Sequence, residues 1–213
     1  MTEILAKLKK AVIEYNVEAA ASWARKALEE GIDPLEALDA LTKGIKQVGD
    51  GYGRGELWLP DLIGAAEAMS SAMPIIEEEI KSRGMKRETA GVIIIGTVKG
   101  DIHDIGKNIV ATLLTIDGFD VIDLGVDVAA EKFIEAIIKY KPSILAMSAL
   151  LTMTAPEQRK VIDALKKEGI RDKVKVLIGG AAITQEFADD IGADGYDPTA
   201  AGAVNLARRL TGE

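Results

Sequence analysis

The chain has 213 residues, 48% apolar and 28% charged, with a formal charge of −8. This is an ordinary soluble composition, with room for one large domain or two small ones, and its acidity argues against a general nucleic-acid binder, which needs clustered Lys and Arg. It has no cysteine, which excludes disulfides, thiolate metal sites and cysteine nucleophiles and agrees with a cytoplasmic location, while neither a signal peptide nor a membrane span of about 18 apolar residues is expected.

Residues 1–88 predict helices only. Leu5, Leu8, Val12 and Tyr15 share a helical face. Asn16 caps a second helix through Ala19, Trp23, Ala27 and Leu28, ended by Gly31. Asp33 and Pro34 form a cap and first turn for a third, with Leu35, Leu38, Leu41 and Ile45 on one face. A glycine-punctuated stretch, 49–55, is expected to follow that helix. Pro60 then opens a fourth through Leu62, Ile63, Ala66, Met69, Met73 and Ile76, and Pro74 predicts a kink or a break into two pieces. Four amphipathic helices of this length make a small bundle. Between about Lys81 and Thr89 the composition turns charged, which predicts a linker and sets the expected domains at 1–88 and 89–213.

Beyond the linker, apolar runs alternate with helical periods. Strands are expected at 91–96, 119–124, 143–148 and 174–178, with a weak fifth near Gly195-Tyr196. Helices are expected at roughly 106–117, 129–140, 156–169, 184–191 and 199–210. This alternation predicts an α/β fold with a doubly wound, five-stranded parallel sheet of Rossmann or flavodoxin type behind a helical bundle. The loop leaving the first strand carries His103, the only histidine of the chain, between Asp101 and Gly106. Open α/β sheets place ligands at such strand ends. Imidazole is a common metal ligand, and a carboxylate on its other nitrogen fixes its tautomer. One histidine without cysteine cannot build a protein-only zinc site, so a metal that brings most of its own ligands fits better.

Three motifs occur in order, Asp101-Ile102-His103-Asp104-Ile105-Gly106, Ser148-Ala149-Leu150 and Gly179-Gly180, and a fourth lies in the helical half, Val48-Gly49-Asp50-Gly51-Tyr52 with Leu57-Trp58-Leu59-Pro60-Asp61-Leu62. Together they resemble the cobalamin-binding module of methionine synthase, and still more the small corrinoid proteins of methyltransferase systems. The resemblance covers nearly the whole chain. It implies cobalamin or a related corrinoid as cofactor, bound base-off with His103 as the cobalt ligand. Asp101 would accept the other ring N–H of His103, and Thr154 would bond Asp101. Gly106, Gly179 and Gly180 would keep a slot open for the nucleotide tail, with Ser148 and Leu150 on its wall. Tyr52, Leu59 and Leu62 would cover the methyl-bearing face from the helical cap. The implied partners are a substrate:corrinoid methyltransferase, a second methyltransferase serving a folate, pterin or thiol acceptor, and a reductive activator, with no nucleic acid and no membrane.

Taken without the resemblance, plainer readings stand beside these. Asp104 and Thr154 serve as helix caps, Gly179-Gly180 as a strand-end turn, Tyr52, Leu59 and Leu62 as bundle core, and Lys99 and Lys107 as solvated lysines. No other residues form a catalytic set, so no complete reaction is expected from this chain alone. The alternative function is a cobalamin-dependent regulator or sensor. Such proteins usually add a DNA-binding segment, which this acidic sequence does not offer. A mutase subunit shares the histidine motif, but the helical cap favours methyl transfer. A receiver domain would need an acidic cluster with a central aspartate, which cannot be placed.

Overall fold

Short polar side chains decide where the N-terminal helices begin. The computed structural model describes residues 2–85 and 89–212. Within its first unit, Met1–Glu88, the described residues form α1 (Glu3–Ile13), α2 (Val17–Glu29), α3 (Pro34–Gly53) and α4 (Leu59–Ser82). Thr2, Asn16 and Asp33 accept hydrogen bonds from the backbone N–H groups of Leu5, Ala19 and Leu35. Each cap satisfies a first-turn donor that the helix itself cannot. Asp61 accepts the N–H of Trp58 at 2.6 Å and holds the entry to α4. Helix α4 packs on α2 and α3, and α1 packs on α2 and α3. Lys86, Arg87 and Glu88 of the expected linker lie outside the described residues.

One helix runs past its expected end, and another is continuous where a break was one of two expectations. α3 does not stop before Gly49 but continues to Gly53. Its glycines mark close approaches: a Cβ on Gly44 would lie 3.0 Å from Lys9 O and Val12 Cβ, and one on Gly51 would lie 2.8 Å from Leu57 Cδ1. Packing of this kind outweighs the helix penalty of about 1 kcal/mol per glycine. α4 crosses Pro74 as one helix. Buried Ala65, Ala68, Met69 and Ala72 before the proline, and Ile76 and Ile80 after it, hold both halves in the core. Tertiary packing thereby offsets an interior proline cost of about 3 kcal/mol.

The second unit, Thr89–Glu213, alternates strand and helix as its sequence pattern requires. In order it has β1 (Val92–Thr97), α5 (Ile105–Ile116), β2 (Asp120–Asp123), α6 (Ala130–Tyr140), β3 (Ile144–Ser148) and α7 (Ala155–Lys167). A 3-10 turn (Arg171–Lys173), β4 (Lys175–Gly179), α8 (Gln185–Ile191), β5 (Gly195–Tyr196) and α9 (Ala200–Thr211) complete it. All strand pairs are parallel, in the order β2-β1-β3-β4-β5. The apolar runs are continuous because both sheet faces are covered. Ile94, Leu145, Met147, Val176 and Ile178 pack toward Phe133 of α6 and Ile162 of α7. Ile93, Ile95, Ile144, Ala146 and Leu177 pack toward Leu114 of α5 and Ala207 of α9. The chain turns to β2 on one side of β1 and to β3 on the other, so a crevice opens at the carboxyl ends of these strands. No helix among the described residues is long and apolar enough to cross a membrane.

A candidate cofactor site at the strand ends

Asp101 is the hub of the loop that leaves β1. It has no exposed surface, and its two carboxylate oxygens divide the work. Oδ1 lies 2.8 Å from His103 Nδ1 and accepts the His103 backbone N–H at 3.0 Å. Oδ2 accepts from Thr154 Oγ1 at 2.6 Å and from Leu150 N at 2.8 Å. Burial pushes this carboxyl upward, but the bonds from Thr154, His103 and Leu150 outweigh it and hold Asp101 well below the usual carboxylate range. With Asp101 anionic, the imidazole proton belongs on Nδ1, which leaves Nε2 as the base nitrogen available to a metal. Thr97, fully buried at the end of β1, donates to the His103 carbonyl at 3.1 Å and fixes the loop from beneath. The ring itself stays reachable, with 47% of its side chain exposed.

The structure thus brings Asp101, His103 and Thr154 together. Thr154 occupies the N-cap position of α7 without a side-chain capping bond, because its hydroxyl is turned to Asp101. Asp104 likewise stands at the N-cap of α5 without capping it, and accepts instead from Asn108 Nδ2 at 3.1 Å. Thr154→Val keeps the shape and removes the bond, so a loss of about 1–3 kcal/mol in stability is expected for the unliganded protein near neutral pH. The depressed carboxyl contributes stability above its unfolded value, about 4, and loses it as pH falls toward the folded value. The gap between wild type and variant should therefore be constant from pH 7 to about 5 and narrow below about 4. Urea unfolding across that range measures it.

Beside this hub a cavity of about 860 Å³ runs between the sheet and the helices α5 and α9. Its walls are mainly apolar, including Ile95, Val110, Ala146, Leu177 and Ala203, and Ser148 and Leu150 line its mouth side with His103. Ile109, Val110 and Ala111 of α5 are only half-buried although they belong to a core-facing helix. A Cβ built on Gly106 or Gly179 meets nothing within 4 Å, so the cavity reaches their backbones. Gly180 also lines the cavity. Its φ is +127°, and a Cβ would lie 1.9 Å from the Ala149 carbonyl oxygen. Its missing side chain lets the ends of β3 and β4 approach closely. Ile102 (73% exposed), Ile105 (72%) and Leu150 line the cavity as an exposed apolar collar, and Leu151 and Met153 (87%) are exposed on the same loop as Leu150. Such exposure of large apolar side chains beside a polar hub marks a ligand surface.

Several contributing residues escaped the sequence reading. Lys107 is not solvated: it is buried, paired with Asp123 and bonded to Asn108 Oδ1 at 2.8 Å. Lys99 is exposed. Buried Gln158 donates to Met147 O at 3.1 Å and Gly179 O at 3.2 Å, which ties β3 to β4 beside the cavity. Among the described residues, no three His, Cys, Asp or Glu side chains converge on one metal position. In the helical unit, Tyr52 ends α3 half-buried, Leu59 begins α4 half-buried, and Leu62 is fully buried.

Known proteins share both halves. Residues 91–205 match a family model described as a B12 binding domain, and residues 4–77 match a second with the same description. Trimethylamine corrinoid protein 2 of Methanosarcina mazei is 45% identical over 203 residues, which cover 95% of this chain and 93% of that protein. A corrinoid protein of Desulfitobacterium hafniense is 43% identical, over 99% of this chain and 98% of its own length. Among solved structures, the methanol:cobalamin methyltransferase complex of Methanosarcina barkeri includes a chain that is 34% identical. It matches with a TM-score of 0.88, over 99% of this chain and 81% of that one.

Proposed function

The chain belongs to the B12-binding corrinoid proteins of methyltransferase systems and takes a corrinoid cofactor, and from that premise we propose that it carries a methyl group between two methyltransferases. The residues present fit the cofactor. The apolar collar of Ile102, Ile105 and Leu150, with exposed Leu151 and Met153 on the same loop, suits a broad flat ring, and the cavity bounded by Gly106 and Gly179 suits a long nucleotide tail. The observation that carries the reading is the bonded set Asp101, His103 and Thr154 at the mouth of that cavity.

Bound corrinoid supplies a cobalt centre that accepts a methyl group and yields it to a nucleophile, and the hard chemistry is its own. This chain supplies orientation and charge. His103 Nε2 would hold the metal in place of the cofactor's own base, while Asp101 keeps the proton at Nδ1 and would make the ring a better donor. The ring is partly exposed, so its far side stays open to solvent. Thr154 donates to the far oxygen of Asp101 and keeps the carboxylate turned to the ring. The partners we assign are a substrate:corrinoid methyltransferase as donor, a methyltransferase serving a folate, pterin or thiol as acceptor, and a reductive activator. Relatives named for trimethylamine support a methylated amine as the methyl source.

The test is label transfer. Full-length protein loaded with hydroxocobalamin and reduced is mixed with radiolabelled trimethylamine and a trimethylamine methyltransferase from Methanosarcina. Methyl label stoichiometric with bound corrinoid should co-purify with the protein, and an acceptor methyltransferase with its thiol should remove it. Corrinoid-loaded protein that takes up no label from methylamine, methanol or any other methyltransferase set would refute the carrier role.

A further inference from the structure

The segment between β2 and α6 bonds repeatedly to the loop that carries His103. Gly125 O accepts the Thr97 N–H, and Thr97 O accepts the Val128 N–H, both at 3.0 Å. One residue, Asp127, reaches further along the loop. Its N–H donates to the Asp101 carbonyl at 3.0 Å, and its Oδ1 accepts the Gly100 N–H at 2.7 Å. It does so at φ +53°, in the left-handed region that Asp and Asn tolerate better than other side chains.

Resting on the reading of His103 as the metal ligand, we propose that Asp127 is a positioning residue for His103. The orientation of the imidazole depends on Asp101, whose side chain is held by Thr154 and Leu150. The backbone that delivers Asp101 is a turn through Gly100, at φ +79°, and glycine gives that turn little stiffness of its own. Asp127 supplies it. The carboxylate makes a charge-assisted bond to the Gly100 amide, while the adjoining N–H pins the next carbonyl. Asp127 is exposed and lies in a separate surface cleft with Lys132, Glu135 and Tyr140, apart from the lining of the cofactor cavity. Its influence on the metal therefore runs through the loop. Thr97 and Asp127 grip that loop at two places, at the His103 carbonyl and at Gly100.

Two substitutions separate the acceptor from the backbone conformation. Asp127→Gly accepts the positive φ and removes the acceptor, while Asp127→Asn keeps an acceptor oxygen and tolerates the same φ. Each full-length protein is loaded with hydroxocobalamin, reduced to Co(II) and examined by electron paramagnetic resonance, with His103→Ala as the baseline without a histidine ligand. In Asp127→Gly the fraction of cobalt showing histidine nitrogen coupling should fall to about half or less, and Asp127→Asn should retain nearly all of it. Unchanged coupling in Asp127→Gly, or equal loss in Asp127→Asn, overturns the proposal. Wild-type protein without histidine coupling overturns the metal-ligand reading itself, and the proposal with it. A second measurement needs no variant. In unliganded wild-type protein the Gly100 amide should exchange with solvent at least about 100-fold more slowly than in a free peptide, and an unprotected amide sinks the proposal.

Discussion

His103→Ala should yield a protein that still takes up hydroxocobalamin but whose Co(II) spectrum has lost all protein nitrogen coupling. Uptake persists because the cavity and its apolar collar do not depend on the imidazole. Coupling is lost because no other His, and no Cys, exists in the chain to replace it. Removing an outer partner of a metal ligand typically costs about 10–100-fold in affinity or activity, so loss of the ligand itself should slow methyl transfer by about 100-fold or more. Added imidazole should restore a nitrogen signal, since truncation leaves room where the ring stood. Nitrogen coupling that survives in His103→Ala would mean that the cofactor keeps its own base on the metal, and the assignment of the site would fail. The Asp101 carboxylate stays charged throughout the neutral and mildly acidic range, because hydrogen bonds from Thr154, His103 and Leu150 outweigh its burial. Loss of the histidine signal at moderately low pH would therefore not be traced to protonation of Asp101.

The second large effect separates two adjacent glycines. Gly179→Leu should fold normally, with a gain of up to about 1 kcal/mol from the reduced freedom of the unfolded chain, because nothing lies within 4 Å of the new Cβ. Its side chain projects where the cavity reaches the backbone, so corrinoid affinity should drop by about 100-fold or more. Gly180→Ala should do the reverse. A Cβ there meets the Ala149 carbonyl oxygen at 1.9 Å on a backbone of φ +127°, and the two penalties together should cost roughly 3–5 kcal/mol. Thermal unfolding of the unliganded proteins and equilibrium binding of hydroxocobalamin read the two effects apart. Full corrinoid affinity in Gly179→Leu would show that the tail takes another path.

Most of the site was legible because its chemistry sits in a short stretch. Asp101, His103 and Gly106 lie within six residues after one strand, and the local order of strand, loop and helix already placed them at that strand's carboxyl end. Other contributions are contacts between distant segments, which leave no local mark. Thr97 is one more threonine at a strand end until its hydroxyl is seen beneath the His103 carbonyl. Lys107 has the sequence environment of a solvated lysine, yet it is buried against Asp123, 16 residues away. Gly179 and Gly180 are indistinguishable in sequence, and only the position of Ala149 shows that a Cβ has room at one and not at the other.

By itself the sequence determined the periods: helices at first, then strands of buried branched residues alternating with helices, with the lone imidazole on a strand-end loop. Periodicity and local motifs carry that information because each depends on residues only a few positions apart. Tertiary structure alone decided that α3 runs through its glycines, that α4 passes unbroken over Pro74, and that Thr154 turns from capping a helix to bonding Asp101. In each case a favourable contact with a remote segment outweighs a local preference of a few kcal/mol or less.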